Sequence, residues 1–249
     1  MKYLIISDIH SNLEALEAVL KEAGSEMLIC LGDVIGYGPD PSSCIQLIRA
    51  HDILCILGNH DNVQLDPGPL TRFNPLASRS AAITHEALGE EDLFWISTLP
   101  EEIIINDLYF THSSPYDAKQ FHYLKPYDTA SPYLLLSFSK LAPLGISTAF
   151  VGHTHIPGIF SRSAQGAVKY TAIKPGQVFD LEKDCLYIIN CPSVGQPRNH
   201  HTEAQYAIYD DISNRVEFKS VPYDISLTSE KMRKNGIPEE LWKRLAIGT

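Results

Sequence analysis

An α/β fold follows from three observations along the 249 residues. Over the first quarter of the chain, short apolar runs alternate with amphipathic helical stretches, the pattern of parallel strands joined by helical crossovers. Beyond residue 158 the pattern is mostly strands. In addition, five apolar runs each end in Asp, Asn or His, and the carboxyl ends of strands are where open α/β sheets carry their chemistry. A hydrophobic content of 44% supplies a large core. With no linker and no internal repeat, residues 1–249 are expected to form a single domain, with a helical segment 224–249 packed on it.

The elements can be justified in order. Residues 2–7 form an apolar run that delivers Asp8-Ile9-His10. Asn12 can cap a helix whose Leu13, Leu16, Val19, Leu20 and Ala23 share one face, with Gly24 as its expected left-handed end. A second strand, 27–31, delivers Gly32-Asp33. Asp40 is the expected cap and Pro41 the first residue of a helix over 41–50. Strand 53–57 then delivers Gly58-Asn59-His60-Asp61. A loop rich in Pro, Asn and Asp covers 62–77, and helices are expected at 78–88 and 91–98. Strands 101–105 and 107–111 flank an Asn106-Asp107 turn and end at His112. An irregular stretch, 113–130, carries Tyr116, Phe121, His122, Tyr123 and Tyr127, either as a lid for a flat ligand or as rings that pin the loop. A helix near 132–141 precedes strand 147–151 and Gly152-His153-Thr154-His155. Strands at 158–162, 167–173, 185–190, 205–210 and 214–221 and helices at 226–234 and 238–246 complete the chain.

Composition narrows the function classes. No apolar run approaches the roughly 18 residues needed to span a bilayer. Residues 1–6 pass straight into Ser7-Asp8 without the apolar core of a signal peptide, so the expected compartment is the cytoplasm, with the five cysteines reduced. A formal charge of −10 argues against holding long nucleic acid by phosphate neutralisation. It leaves room for a small anionic substrate, because bound cations reverse the local sign.

The five strand ends together present Asp8, His10, Asp33, Asn59, His60, His112, His153 and His155. Imidazole, carboxylate and amide donors suit Mn, Fe, Zn or Ni better than Mg, and no cysteine joins the set. With His60 set apart as a group that can carry a proton, the remaining seven exceed what one such ion takes and match two divalent ions sharing a carboxylate.

In its order Asp8-x-His10, Gly32-Asp33, Gly58-Asn59-His60-Asp61, His112 and Gly152-His153-x-His155, the chain resembles the calcineurin-like metallophosphoesterase superfamily. Phe73-Asn74-Pro75, Ser193-Val194-Gly195-Gln196-Pro197-Arg198, Tyr206-Ala207-Ile208 and the closing Gly236-Ile237-Pro238 with Arg244-Leu245 extend the likeness to a bacterial and archaeal branch of small stand-alone phosphoesterases. The chain departs from that branch at Asn190-Cys191-Pro192 and Asn199-His200-His201, leaving the ligand positions intact. The resemblance implies a four-layer αββα sandwich of two mixed sheets flanked by helices. It also implies Asp8, His10 and His155 on a first metal, Asn59, His112 and His153 on a second, and Asp33 bridging. The same resemblance implies that His60 stands on the leaving-group side, with Asp61 as its partner.

The reaction so implied is hydrolysis of a phosphomonoester or a small phosphodiester, nucleotides included, by attack of a metal-bridging hydroxide. Protonated His60 would assist the leaving group. Arg198 is the basic residue expected to grip the phosphate through two oxygens. Asn12 is a second candidate contact, although capping already accounts for it. The alternatives are a nuclease acting on short single strands and a non-catalytic scaffold on the same fold; the filled ligand positions weigh against the scaffold.

Overall fold

The computed structural model describes residues 1–249, except for the side chains of Pro69 and Arg72. The first strands and helices follow the expected alternation: β1 (Lys2–Ile6), α1 (Leu13–Lys21), β2 (Met27–Cys30), α2 (Pro41–Ala50) and β3 (Leu54–Cys55). A single helical turn, α3 (Asn59–Asn62), comes next, followed by α4 (Pro75–Glu86) and α5 (Glu90–Ser97). The middle of the chain contributes β4 (Glu102–Ile105), β5 (Leu108–Thr111), α6 (Pro132–Leu141), β6 (Thr148–Val151), β7 (Gly158–Arg162) and β8 (Val168–Ala172). The last part contributes β9 (Val178–Asp180), β10 (Leu186–Asn190), β11 (Ala204–Asp210), β12 (Arg215–Val221), α7 (Ile225–Lys234) and α8 (Glu239–Lys243).

The strands form two mixed six-stranded sheets, in the orders β3-β2-β1-β11-β12-β9 and β4-β5-β6-β10-β7-β8. In the first, β1 runs parallel to β2 and antiparallel to β11. In the second, β6 lies between parallel neighbours β5 and β10.

The layering explains why β1 reads as a continuous apolar run. Tyr3 and Ile5 face the second sheet, where Phe110, Phe150 and Ile189 wait, while Leu4 and Ile6 face Leu16, Val19, Ile45 and Ile48 of α1 and α2. A strand covered on both faces shows no polar alternation. On the far side, Tyr109, Ala149 and Ile188 pack under Leu134, Phe138 and Leu141 of α6. The four layers are therefore helices, sheet, sheet and helix, as expected. The C-terminal helices α7 and α8 and the 3-10 turn after them bring Met232, Leu241 and Leu245 against Tyr37 and Ala77, beside the loop that follows β2.

Several boundaries differ from the sequence reading for identifiable reasons. The helix α1 ends at Glu22 in a right-handed conformation, and Gly24 is not left-handed; its N–H donates to the Glu26 carboxylate at 2.7 Å. Asp40 precedes α2 without capping it through its side chain, because its carboxylate pairs with Lys231 at 2.9 Å. Asn74 accepts from Ala77 N–H at 2.9 Å and starts α4 three residues earlier than expected. The strand expected over 53–57 pairs only at Leu54–Cys55. The loop expected over 62–77 contains a 3-10 turn at Gly68–Arg72, and the strand β9 was not foreseen. The five cysteines are free, and Cys30, Cys44, Cys55 and Cys191 are buried.

Candidate metal centre

The donors gather where β1, β2, β5 and β6 end, and the backbone that brings them there is bent in a particular way. Asp8, His10, Asp33, His153 and His155 all have positive φ, between 52° and 67°. Each such non-glycine residue costs free energy and persists only where its surroundings hold it. Interlocking backbone bonds do so: Asp8 N–H to Gly32 O at 3.0 Å, His10 N–H to Asp33 O at 3.0 Å and Ser11 N–H to Val34 O at 2.9 Å. The loop after β3 approaches so closely that a Cβ on Gly58 would lie 2.1 Å from Asp33 N, so only glycine fits there.

Three buried donor groups result: a first of Asp8, His10 and His155, a second of Asp33, His112 and His153, and a third of His10, Asp33 and His60 that overlaps both. In the first, His10 Nε2 lies 3.1 Å from His155 Nε2, and Asp8 Oδ1 lies 3.4 Å from His155 Nε2. In the second, His112 Nε2 lies 3.1 Å from both Asn59 Oδ1 and His153 Nδ1. Asp33 Oδ2 stands between them, 3.8 Å from His10 Nε2 and 3.3 Å from His112 Nε2.

This donor set fits divalent ions, judged by its own hydrogen bonds. The Nδ1 of His10, His112 and His155 lie 3.2, 2.8 and 2.6 Å from the carbonyls of Ile35, Leu31 and Gln196. A carbonyl can only accept, so those nitrogens carry protons; Nε2 of His10 and His155 presents its lone pair to the cluster and Nε2 of His112 does so once its own proton is displaced, the orientation found in metal-ligating histidines. Asp8 Oδ1 is buried without a hydrogen-bond partner. Buried polar atoms in that condition are costly unless a ligand satisfies them.

The charge balance points the same way. Burial lowers His10, His153 and His155 well below the ordinary histidine value. Burial opposes the charge on Asp33 too, but the imidazoles of His112 and His60 hold its carboxyl well below the usual range. Burial works against His112 as well, yet Asp33 raises it to about 9. A proton on His112 Nε2 thus occupies the position a cation would take. Cation uptake must displace it, so metal affinity is expected to weaken as pH falls below about 9, which calorimetric titration across a pH series would register. Affinity independent of pH would contradict this.

The other expected site residues fare differently. His60 lies in the cluster, its ring centroid 4.9 Å from that of His10, and its backbone N–H donates to Asp33 Oδ1 at 2.8 Å. Burial lowers its pKa to about 4, so it rests as a neutral imidazole, not the imidazolium foreseen from the sequence. Asp61 is not its partner. Its carboxylate accepts the N–H groups of Asp33 at 2.8 Å, Gly58 at 3.0 Å and Ile35 at 3.2 Å, tying the turn after β2 to the turn after β3. Asp61→Asn replaces an acceptor oxygen with a donor facing these N–H groups. It is expected to cost about 1–3 kcal/mol and to loosen Asp33. Thermal unfolding and metal analysis should both register the loss, with rates on good and poor leaving groups falling alike; a leaving-group bias would restore Asp61 as the partner of His60.

Asn12 is 1% exposed and its amide is fully engaged: Oδ1 accepts from Ala15 N–H and Thr228 Oγ1, and Nδ2 donates to Gly195 O at 2.9 Å. It pins the loop beside Arg198 to α1, which removes it from the substrate contacts. Arg198 does stand at the site, its guanidinium 6.0 Å from the Tyr37 ring, and it donates to Gln196 Oε1 at 2.8 Å. Arg244, which enters the sequence reading only through the closing resemblance and without a role, follows α8 and donates to the same oxygen at 3.3 Å. Among the described residues neither arginine has an acidic partner, so a patch of positive charge lies beside the donors in an acidic chain. The aromatic stretch after β5 packs on the site as well. Tyr123 stacks on His153 at 3.8 Å between centroids and Phe121 meets His112 edge-on at 5.8 Å.

Over residues 1–157 the chain matches the calcineurin-like phosphoesterase family. It is 37% identical over 98% of its length to an uncharacterized protein of Methanocaldococcus jannaschii, 97% of which is covered. Among solved structures, a metallophosphoesterase from Sphaerobacter thermophilus is 35% identical and superposes with a TM-score of 0.84, covering 100% of this chain and 99% of its own. A shorter likeness, 33% identical over 75 residues, joins 25% of this chain to 41% of the Escherichia coli phosphodiesterase YfcE. Together with the donor cluster, these relatives make the protein a metal-dependent hydrolase of phosphoric esters. It belongs to the calcineurin-like phosphoesterases. Among the described residues no helix is long and apolar enough to cross a membrane.

Proposed function

We propose that this protein is a dinuclear phosphoesterase that hydrolyses a phosphomonoester or a small phosphodiester. The observation that carries the reading is the Asp33 carboxylate, whose Oδ2 faces His10 on one side and His112 on the other within 3.8 Å. Asp8, His10 and His155 would hold one ion, Asn59, His112 and His153 the other, and Asp33 would be shared. Mn, Fe, Zn or Ni suits these nitrogen and oxygen donors. When bound, the ions supply Lewis acidity and a nucleophile at neutral pH. The chain's own residues do the rest. Neutral His60 offers a hydrogen bond to the departing oxygen, and Arg198 offers charge-assisted hydrogen bonds to the phosphoryl group. Residues 1–249 act as one domain, and the unpaired cysteines suit work in the reducing cytoplasm.

The test is metal analysis of the reconstituted protein, combined with hydrolysis of a generic monoester, a generic diester and a short oligonucleotide with and without chelator. Two ions per chain and chelator-sensitive hydrolysis of small esters are expected. One ion or none, or indifference to chelators, would sink the reading. Within it, Arg198→Ala is expected to lower kcat/KM by about 10- to 1000-fold with metal content unchanged, through loss of charge-assisted bonds. Unchanged kinetics would leave Arg198 as a rim residue.

A further inference from the structure

A cavity of about 650 Å³ opens onto the second donor group, with Asn59 and His153 forming part of its wall. Much of the remaining wall is aromatic: Phe73, Phe121, Tyr123 and Tyr133. Phe73 lies 4.7 Å from the His60 ring, so the cavity also touches the leaving-group side of the proposed site. The loop that carries Phe121 and Tyr123 is held in place by a stack in which His122 lies against Tyr133 at 3.9 Å and 8° and against Tyr116 at 6.3 Å. The cavity is thus already formed. Yet Tyr123 and Tyr133 remain 48% and 38% exposed, whereas the core tyrosines Tyr3 and Tyr109 are fully covered.

Exposed rings lining a cavity continuous with a phosphate site call for a flat, apolar-faced partner joined to that phosphate. A volume in the range of roughly 300–1,000 Å³ is typical for ligands larger than a single phenyl ring. Lys125 and Asp128 on the same wall supply a donor and an acceptor for the polar edges of a base or sugar. We propose that this cavity takes the nucleoside of a nucleotide ester whose phosphate lies on the donor cluster, the base resting against the aromatic wall. The proposal rests on the phosphoesterase reading and narrows its substrate class.

Calorimetric binding to the metal-loaded protein tests it with inorganic phosphate, ribose 5-phosphate, phenyl phosphate and adenosine 5′-monophosphate. Adenosine 5′-monophosphate is expected to bind about 5- to 100-fold more tightly than ribose 5-phosphate, the range that stacking of one base provides. Tyr133→Ala is expected to remove most of that preference, and Tyr133→Phe, which keeps a ring against His122, to retain it. Equal affinities for the two compounds in the wild type would overturn the proposal, whether or not the alanine variant folds. Phenyl phosphate binding as tightly as the nucleotide would overturn the nucleoside assignment. If even inorganic phosphate fails to bind and no ester is hydrolysed, the phosphoesterase reading itself has failed, which separates the two outcomes.

Discussion

Asp33→Asn is expected to strip metal from both donor groups, taking the content of the reconstituted protein from about two ions per chain to less than one and activity down by at least about a thousandfold. The reason is electrostatic. Two dications held about 3.5–4 Å apart repel with roughly 17–19 kcal/mol at an effective dielectric constant near 20, and a shared anionic oxygen is the cheapest way to offset this. The amide is nearly isosteric and its oxygen can still accept the His60 backbone N–H that Asp33 Oδ1 now takes at 2.8 Å, so the fold around it should persist. Asp8→Asn, by contrast, alters a carboxylate whose Oδ1 faces only the first group, at 3.4 Å from His155. It should drain chiefly one ion. Metal analysis of both variants beside the wild type decides the point: two ions retained in Asp33→Asn would show that the carboxylate is not shared.

The strand-end donors were legible because each ionisable residue follows an apolar run, where the chain leaves a sheet covered on both faces. The same logic failed for Asp61. The resemblance makes it the partner of His60, its neighbour in sequence, yet both lie on the helical turn α3, where adjacent side chains point about 100° apart. His60 turns toward His10, and Asp61 turns back to the N–H groups of Gly58 and Asp33. Nor could spacing reveal that Arg244 joins Arg198, since the shared Gln196 oxygen exists only once α8 has packed against the loops. The strand β9 escaped notice because it is three residues long, pairs only with β12, and is too exposed for an apolar run to mark it. Local patterns record burial and turns; they do not record which distant side chain completes a hydrogen bond.

His60→Asn is expected to slow hydrolysis of an alkyl phosphate ester by about 10²–10⁴-fold, and that of the p-nitrophenyl ester of the same phosphate far less, with both metals retained. The argument turns on what His60 can supply in its buried state. With its pKa lowered to about 4 by burial, it carries one N–H at neutral pH and no charge. An imidazole that stays neutral is too weak an acid to protonate p-nitrophenolate, but it can stabilise a strongly basic alkoxide through a preorganised hydrogen bond. An alkyl ester needs that help and an aryl ester with a stable anion does not. Two signatures follow together: a leaving-group bias in the variant, and a wild-type pH profile without a loss of activity between pH 5 and 8 traceable to His60. If His60 instead only binds the phosphoryl oxygen, both esters must slow equally. If it works as an imidazolium, the wild-type rate on the alkyl ester must fall as pH rises through its pKa and the variant must lose that limb. Measuring both esters across a pH series in wild type and His60→Asn separates the three cases.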